Sequence, residues 1–220
     1  PGGMTSLAKD LAVGIPVECS TMAFTLRPSR SGLARWDVVI DDGTLRPADH
    51  VIVTTPLAQA FGLLADVDLE LDVETFRVDY DRTICLLAVL DRPVTVSPSG
   101  GVQPTDGLFS FIGDNVSKGV STVPAITFHA GPAWSEAHWE DHPEALGAAL
   151  IDAAWPWLGA ADVVEHQVKK WRFATPRTVF PDPCRTLDGG SIVLAGDAFA
   201  GPRIEGAHNS GLAAAHTILG

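Results

Sequence analysis

The residues with the clearest chemical use lie near the end of the chain, in SIVLAGDAFAGPRIEGAHNSGLAAAHTILG, residues 191–220. Ser191 to Ala195 reads as a short apolar strand that delivers Gly196-Asp197 at its carboxyl end. Glu205-Gly206-Ala207 then opens a helix of small residues, with Ser210-Gly211 and Ala213 to Ala215 inside it. Ligands of α/β folds sit beyond the carboxyl ends of strands. Gly196 removes a side chain where a ligand must come close. The Asp197 carboxylate can accept hydrogen bonds from sugar or polyol hydroxyls. Gly206 leaves the helix N-terminus bare, so its N–H groups and positive dipole end can face an electron-rich ligand atom. Read alone, the same residues suit equally well a plain strand-to-loop turn with a helix cap behind it.

Other candidates weigh less. His129 sits in a strand-like run between Phe128 and Ala130, and a satisfied structural histidine is as good a reading as a site residue. Trp171-Arg172 suits a substrate wall or ordinary packing with the arginine stem lying along apolar surface. His138 and His142 are four apart, but HWEDH is not HExxH and Pro143 follows at once, so no metal site is expected. Ser210 lacks a G-x-S-x-G elbow, which argues against a serine hydrolase. Cys85, in ICLLAVL, reads as a core residue, and Cys184 has no neighbour that would activate a thiol. The acidic stretch Asp66 to Asp72 reads as a solvated loop face.

The elements that must hold these residues follow from pattern. Met4 to Val13 has helical periodicity and Gly14 is a natural stop. Phe24 to Leu26, Trp36 to Ile40 and Thr44-Leu45 read as strands, with an Asp42-Gly43 hairpin turn between the last two. Asp49 to Thr55 contains a buried strand ended by Pro56, and Pro56 to Leu64 fits a helix with proline in its first turn. Ile84 to Leu90, Leu108 to Ile112, Ala125 to His129 and Val163 to Phe173 read as further strands. Asp141 to Trp157 is the clearest helix, capped by Asp141 and ended at Pro156, with Leu146, Ala149, Leu150, Ala153 and Trp157 as its apolar stripe. No internal repeat and no regular βαβ alternation is present. The pattern predicts a mixed α/β (α+β) protein of two interleaved lobes, one built from both ends of the chain and one from about Leu57 to Trp171.

Composition bounds the partners. The chain has 220 residues, 46% of them apolar and 19% charged, enough to bury a sizeable core and unlike a disordered chain. Lys plus Arg is 15 against 27 Asp plus Glu, a formal net charge of -12. That balance disfavours nucleic acid and anionic membrane, which select basic surfaces. Three scattered cysteines, Cys19, Cys85 and Cys184, point to a reducing, cytoplasmic compartment, and no apolar run approaches a membrane span of about 20 residues. The opening Pro1-Gly2-Gly3-Met4 lacks the basic-then-apolar order of a secretory signal and reads like the middle of a protein.

Several segments, in order, resemble the FAD-dependent amine oxidase superfamily and its renalase-like branch. SIVLAGDAF…EGAHNSGLAAA is similar to the carboxyl-terminal flavin-binding segment of that superfamily. PGGMTSLAKDLAVGIPVECST resembles the branch's P-x-GM-x₂-L-x₃-LA-x-G-x₂-V, and HVIVTTPLAQAFGLL its V-x-TTP-x₂-Q-x₃-LL. TFHAG, a long helix ending near WPWLG, and KKWRFATP follow in the branch's order, so the resemblance covers nearly the whole chain. It implies FAD as cofactor. Asp197, after Gly196, would hold the ribityl chain, with Glu205, Gly206 and Ala207 at the flavin pyrimidine edge. Val17 would contact adenine through its backbone, and Thr54, Thr55 and Pro56 would lie along the cofactor cleft. His129 and Trp171 would line the substrate side as the catalytic residues.

The implied lobes are residues 1–56 with 172–220 for FAD, and 57–171 for a mixed-sheet substrate lobe. The implied activity is oxidation of a small amine or of a dihydronicotinamide-type substrate, in an NAD(P)/FAD-dependent manner, with hydride passing to flavin and then to dioxygen. The chain departs from the family in having no GxGxxG, the unit that cradles a pyrophosphate. The FAD/NAD(P)-binding Rossmann-like lobe is therefore expected to be incomplete, with a missing N-terminal segment or a second copy of the chain (a homo-oligomer) covering it. The contrasting expectation is an inactive remnant that binds a ligand or a partner chain through the exposed cofactor cleft.

Overall fold

The computed structural model describes residues 3–69 and 72–220, so Pro1, Gly2 and two residues of the acidic stretch lie outside it. The chain forms two compact units: Pro1–Val17 with Asp81–Ala174, and Glu18–Tyr80 with Thr175–Gly220. The changeovers fall at 17/18, 80/81 and 174/175, where the sequence reading put them at 56/57 and 171/172. Helices and several sheets are mixed, as the α/β expectation required.

The unit containing Asp81–Ala174 is built on a five-stranded sheet. Its strands are β5 (Tyr80–Leu90), β6 (Gly101–Val102), β7 (Phe109–Asp114), β8 (Ala125–Ala130) and β9 (Val163–Pro176), in the order β6-β7-β8-β5-β9. Alternate residues of a strand face opposite sides. One face carries Ile84, Leu86 and Ala88 of β5, Ile112 of β7, and Ile126 and Phe128 of β8. These pack with Leu146, Leu150, Ala154 and Leu158 of helix α5 (Pro143–Leu158) as one core. Helix α4 (Pro132–Ala137), a piece the pattern did not predict, places the buried Ser135 hydroxyl to accept the Ile84 N–H at 3.0 Å.

Helix α5 differs from expectation at both ends. Its N-cap is His142, not Asp141, and no side chain caps it. Pro156 lies inside its last turn, and the helix runs on to Leu158 because Leu158 is anchored in the core. The buried stripe is the i+4 row, and Ala149 is exposed. Helix α1 (Met4–Leu11) is two residues shorter than predicted, and Leu7 and Leu11 are 45% and 57% exposed.

The second unit holds two three-stranded sheets. Strands β1 (Ala23–Pro28), β2 (Trp36–Ile40) and β3 (Leu45–Ala48) form an antiparallel meander. Its β2–β3 turn is the predicted Asp42-Gly43, with Gly43 at φ 84 and Asp42 accepting the Thr44 N–H at 2.8 Å. The other sheet has the order β10 (Arg185–Leu187), β11 (Ile192–Leu194), β4 (Val51–Val53). Strand β11 is buried on both faces, as suits a strand with a parallel neighbour, and Ala214 of helix α6 (Ile204–Leu219) packs on Val193 and Ala195. Small residues on α6 permit that close approach. Helix α2 (Leu57–Leu63) follows β4 directly, and a one-turn helix α3 (Val73–Phe76), unforeseen in the pattern, is capped by Asp72. Asp72 also meets Arg185 at 3.4 Å, and Asp66 accepts the Thr25 hydroxyl at 3.1 Å. Asp66, Asp68 and Asp72 are all exposed, as a solvated loop face requires, and two of them are also partnered. Among the described residues, no helix is long and apolar enough to cross a membrane.

Candidate functional site

In the second unit, β4 and β11 run parallel in the register Val53↔Leu194. Thr54-Thr55-Pro56 and Gly196-Asp197 therefore leave adjacent strands at the same, carboxyl, edge, the position α/β folds use for ligands. The Ala195 N–H donates to the Val53 carbonyl at 3.0 Å. Gly196 has φ 137, a conformation that disfavours any side chain, and a Cβ there would stand 3.6 Å from the Thr54 carbonyl. Its N–H donates to the Ser210 hydroxyl at 2.9 Å, and Ser210, on α6, is fully buried. Ser210 is thus a positioning residue.

Phe180 clamps the loop that carries Asp197. Its N–H donates to the Ala198 carbonyl at 2.8 Å, its carbonyl accepts the Ala200 N–H at 3.1 Å, and its ring stacks on Phe199 at 5.6 Å. Burial raises the Asp197 carboxyl above its ordinary range, and the N–H groups of Asp197 and Ala198 partly offset this.

Helix α6 begins beside this loop. Its N-cap, Arg203, supplies no side-chain acceptor, and the Ala207 N–H donates to the Arg203 carbonyl at 2.9 Å. The preceding N–H groups of 204–206 form the positive end of the helix, with the exposed Glu205 in that first turn. A Cβ at Gly206 would run into the Gly201 carbonyl oxygen, so glycine here also admits the close approach of the chain's own returning loop.

Tyr80 was not singled out by sequence. Its buried hydroxyl accepts the Leu57 N–H at 3.2 Å, at the start of α2 just after Thr54-Thr55-Pro56. Burial raises the Tyr80 phenol, and the nearby Asp197 charge raises it further. Only one tyrosine occurs in the chain, but no local spacing tied it to a helix start 23 residues away.

His129 and Trp171 lie in the other unit. In the five-stranded sheet His129 is directly opposite both Cys85 on β5 and Phe111 on β7. Directly opposed residues share a face, here the face away from the α5 core. Trp171 lies on β9, which flanks β5 in the sheet. The structure thus puts His129 and Trp171 on the strands either side of the one that carries the buried Cys85 thiol. Burial pushes that thiol up to about 11, the Trp171 side chain working against it. Burial and the Lys118 charge hold the His129 imidazole below its ordinary range, so it is uncharged at neutral pH. Val17 belongs to this unit and is 61% exposed.

His138 bonds the Trp134 carbonyl through Nδ1 at 2.9 Å and stacks on the Trp134 ring, while His142 is the N-cap of α5. Among the described residues no group of three or more His, Cys, Asp or Glu side chains is placed to hold a metal ion.

Three solved structures share this fold. A protein described as a protoporphyrinogen oxidase from Exiguobacterium sp. 255-15 matches with TM-score 0.66 at 14% identity, over 99% of this chain and 50% of that one. An oxidoreductase from Methanosarcina mazei matches with TM-score 0.63 at 15% identity, over 89% of this chain and 49% of that one. Wild-type putrescine oxidase, solved with putrescine bound, matches with TM-score 0.65 at 17% identity, over 98% of this chain and 52% of its own. The chain spans about half the length of each. Residues 1–219 match the family of flavin containing amine oxidoreductases. With that match across nearly its whole length, the chain belongs to the flavin containing amine oxidoreductase family, whose cofactor is FAD.

Proposed function

We propose that this chain is the part of a renalase-like, FAD-dependent oxidoreductase that holds the flavin's ribityl side and lines its substrate pocket. The substrate is a small amine or a dihydronicotinamide-type compound. The observation that carries the reading is the common carboxyl edge of β4 and β11, where Thr54-Thr55-Pro56 and Gly196-Asp197 converge. The donor set fits the cofactor: a half-buried carboxyl to accept ribityl hydroxyls, and the N-terminus of a 16-residue helix for an edge that gains negative charge on reduction.

Bound FAD would supply the redox chemistry, hydride acceptance from a substrate C–H bond with dioxygen as the final acceptor. The chain's residues supply position and field. Asp197 accepts hydroxyl hydrogen bonds from a loop that Phe180 and Ser210 hold still. The α6 N-terminus, with the N–H groups of residues 204–206 and Ala207 just behind them, stabilises developing negative charge without reorganising. His129, uncharged, offers one donor and one acceptor to the substrate, and Trp171 supplies an apolar wall. A reducing, cytoplasmic setting suits the three free thiols Cys19, Cys85 and Cys184.

The test is FAD retention in Asp197→Ala. After dialysis of the purified protein, the variant is expected to lose flavin that the parent keeps. Stoichiometric flavin in the variant would remove Asp197 from the cofactor site.

A further inference from the structure

Next to His129 the sheet carries a feature that the family assignment does not use. The Phe111 ring lies over two glycines. A Cβ on Gly113 would stand 3.0 Å from it, and one on Gly101 3.4 Å. Gly101 and Gly113 are directly paired between β6 and β7, so together they leave a slot in which the ring lies against the sheet. The ring is 5.3 Å from the His129 imidazole, tilted by 58°. The Lys118 ammonium stands over the same ring, 5.3 Å from its centroid.

The position of Lys118 is built. The buried Asp114 carboxylate accepts the N–H groups of Val116 and Ser117 at 3.0 and 3.2 Å, and the Asp114 carbonyl accepts the Lys118 N–H at 3.1 Å. The Lys118 stem lies against Gly100, whose Cβ would meet Lys118 Cγ at 3.0 Å. Glycine at 100 thus lets this loop close over β6. The turn sets the ammonium at the edge of an aromatic pair, one member of which, His129, is uncharged and feels no other charge as strongly as that of Lys118.

We propose that Phe111, His129 and Lys118 form a substrate-selecting subsite for a flat, uncharged ring that carries an anionic substituent. The ring packs on Phe111 and His129, the anion meets Lys118, and an alkylammonium group is repelled from the same place. The inference rests on the reading that this sheet face lines the substrate pocket, and it narrows the substrate to one charge class. Like charges brought together oppose binding, and specificity is set by such repulsion as well as by attraction.

The test uses one ring with three charges: benzoate, benzamide and benzylamine. Their binding to the flavin-loaded protein is followed by tryptophan fluorescence and by the flavin absorption band. In the parent, benzoate is expected to bind at least about tenfold more tightly than benzylamine, with benzamide between them. Lys118→Met should bring benzoate and benzylamine to within about threefold, and Lys118→Glu should invert their order, while benzamide changes little in either. Benzylamine favoured in the parent, an unchanged order in Lys118→Glu, or no binding of benzoate at millimolar concentration each overturns the proposal. Charge-dependent binding seen by tryptophan but not by the flavin band keeps the subsite and overturns the reading that this face lines the substrate pocket.

Discussion

The Gly196 N–H donates to the Ser210 hydroxyl at 2.9 Å, joining residues fourteen apart in sequence across the turn that carries Asp197. Ser210 is fully buried. Ser210→Ala leaves that N–H without its acceptor, which costs about 1–3 kcal/mol when the group is shielded from water. The variant is expected to unfold at lower denaturant concentration by that margin and to release FAD more readily. An unchanged unfolding midpoint would show that water replaces the hydroxyl.

Two glycines of α6 are expected to answer alanine in opposite ways. At Gly206 the added Cβ meets the Gly201 carbonyl oxygen at 2.1 Å, whereas at Gly211 nothing lies within 4 Å. Gly206→Ala must push the 200–203 loop away and should destabilise the protein and weaken flavin binding. Gly211→Ala should stabilise it by about 0.5–1 kcal/mol through helix propensity. Thermal melts of the two variants decide the point, and equal effects would contradict the close approach of Gly201.

Tyr80→Phe removes the acceptor of the Leu57 N–H while keeping the ring. A lost helix cap typically costs about 0.5–2 kcal/mol. Stability is expected to fall within that range. Hydrogen exchange of the Leu57 amide should speed up more than that of the buried strand β11, and uniform acceleration would mean that the hydroxyl has no local role.

The raised Asp197 carboxyl ties stability to pH. Its pKa in the folded protein lies above the ordinary value because burial opposes the charged form. The protonated group is therefore the better tolerated one. Its contribution is most favourable below about pH 3.9, the unperturbed value, and is lost as pH rises through the raised folded value. Asp197→Asn, which keeps an oxygen for the Asp197 and Ala198 N–H groups, should raise the Tm of the flavin-free protein at pH 7. That gain should vanish near pH 3. A constant difference between parent and variant across this range would refute the burial effect.

With its thiol pushed up to about 11, Cys85 should resist iodoacetamide at pH 8 while the exposed Cys19 reacts. Trp171→Phe removes the indole N–H that favours the thiolate, so Cys85 should become still less reactive. Trp171→Ala should cut kcat/KM while flavin content holds. Mass spectrometry after timed labelling, together with steady-state kinetics, separates the two effects. Flavin loss with unaltered kinetics in the remaining holoenzyme would place Trp171 in the cofactor grip instead.

Local chemistry in the sequence determined much of this protein. The Asp42-Gly43 turn, the proline that starts α2, the apolar run of β11 and the strand–GD–loop–helix order of residues 191–220 are each set by neighbours within a few positions. Backbone preferences and burial patterns act at that range, so these elements are legible without a fold. The order of several such segments was enough to suggest the family. Tertiary structure decided the rest. Parallel pairing of β4 with β11, about 140 residues apart, puts Thr54 and Asp197 on one edge, and no periodicity within either strand records its partner. The close approach of the Gly201 carbonyl to Gly206 comes from a returning loop that no local pattern records. Tyr80, Phe180 and Ser210 act only through contacts made once distant segments meet. Cys85 read as core from its apolar neighbours and is buried, but only the pairing of strands places it opposite His129. Sheet register is a property of pairs of strands, and a single strand's sequence sets which residues share a face but not what stands across from them.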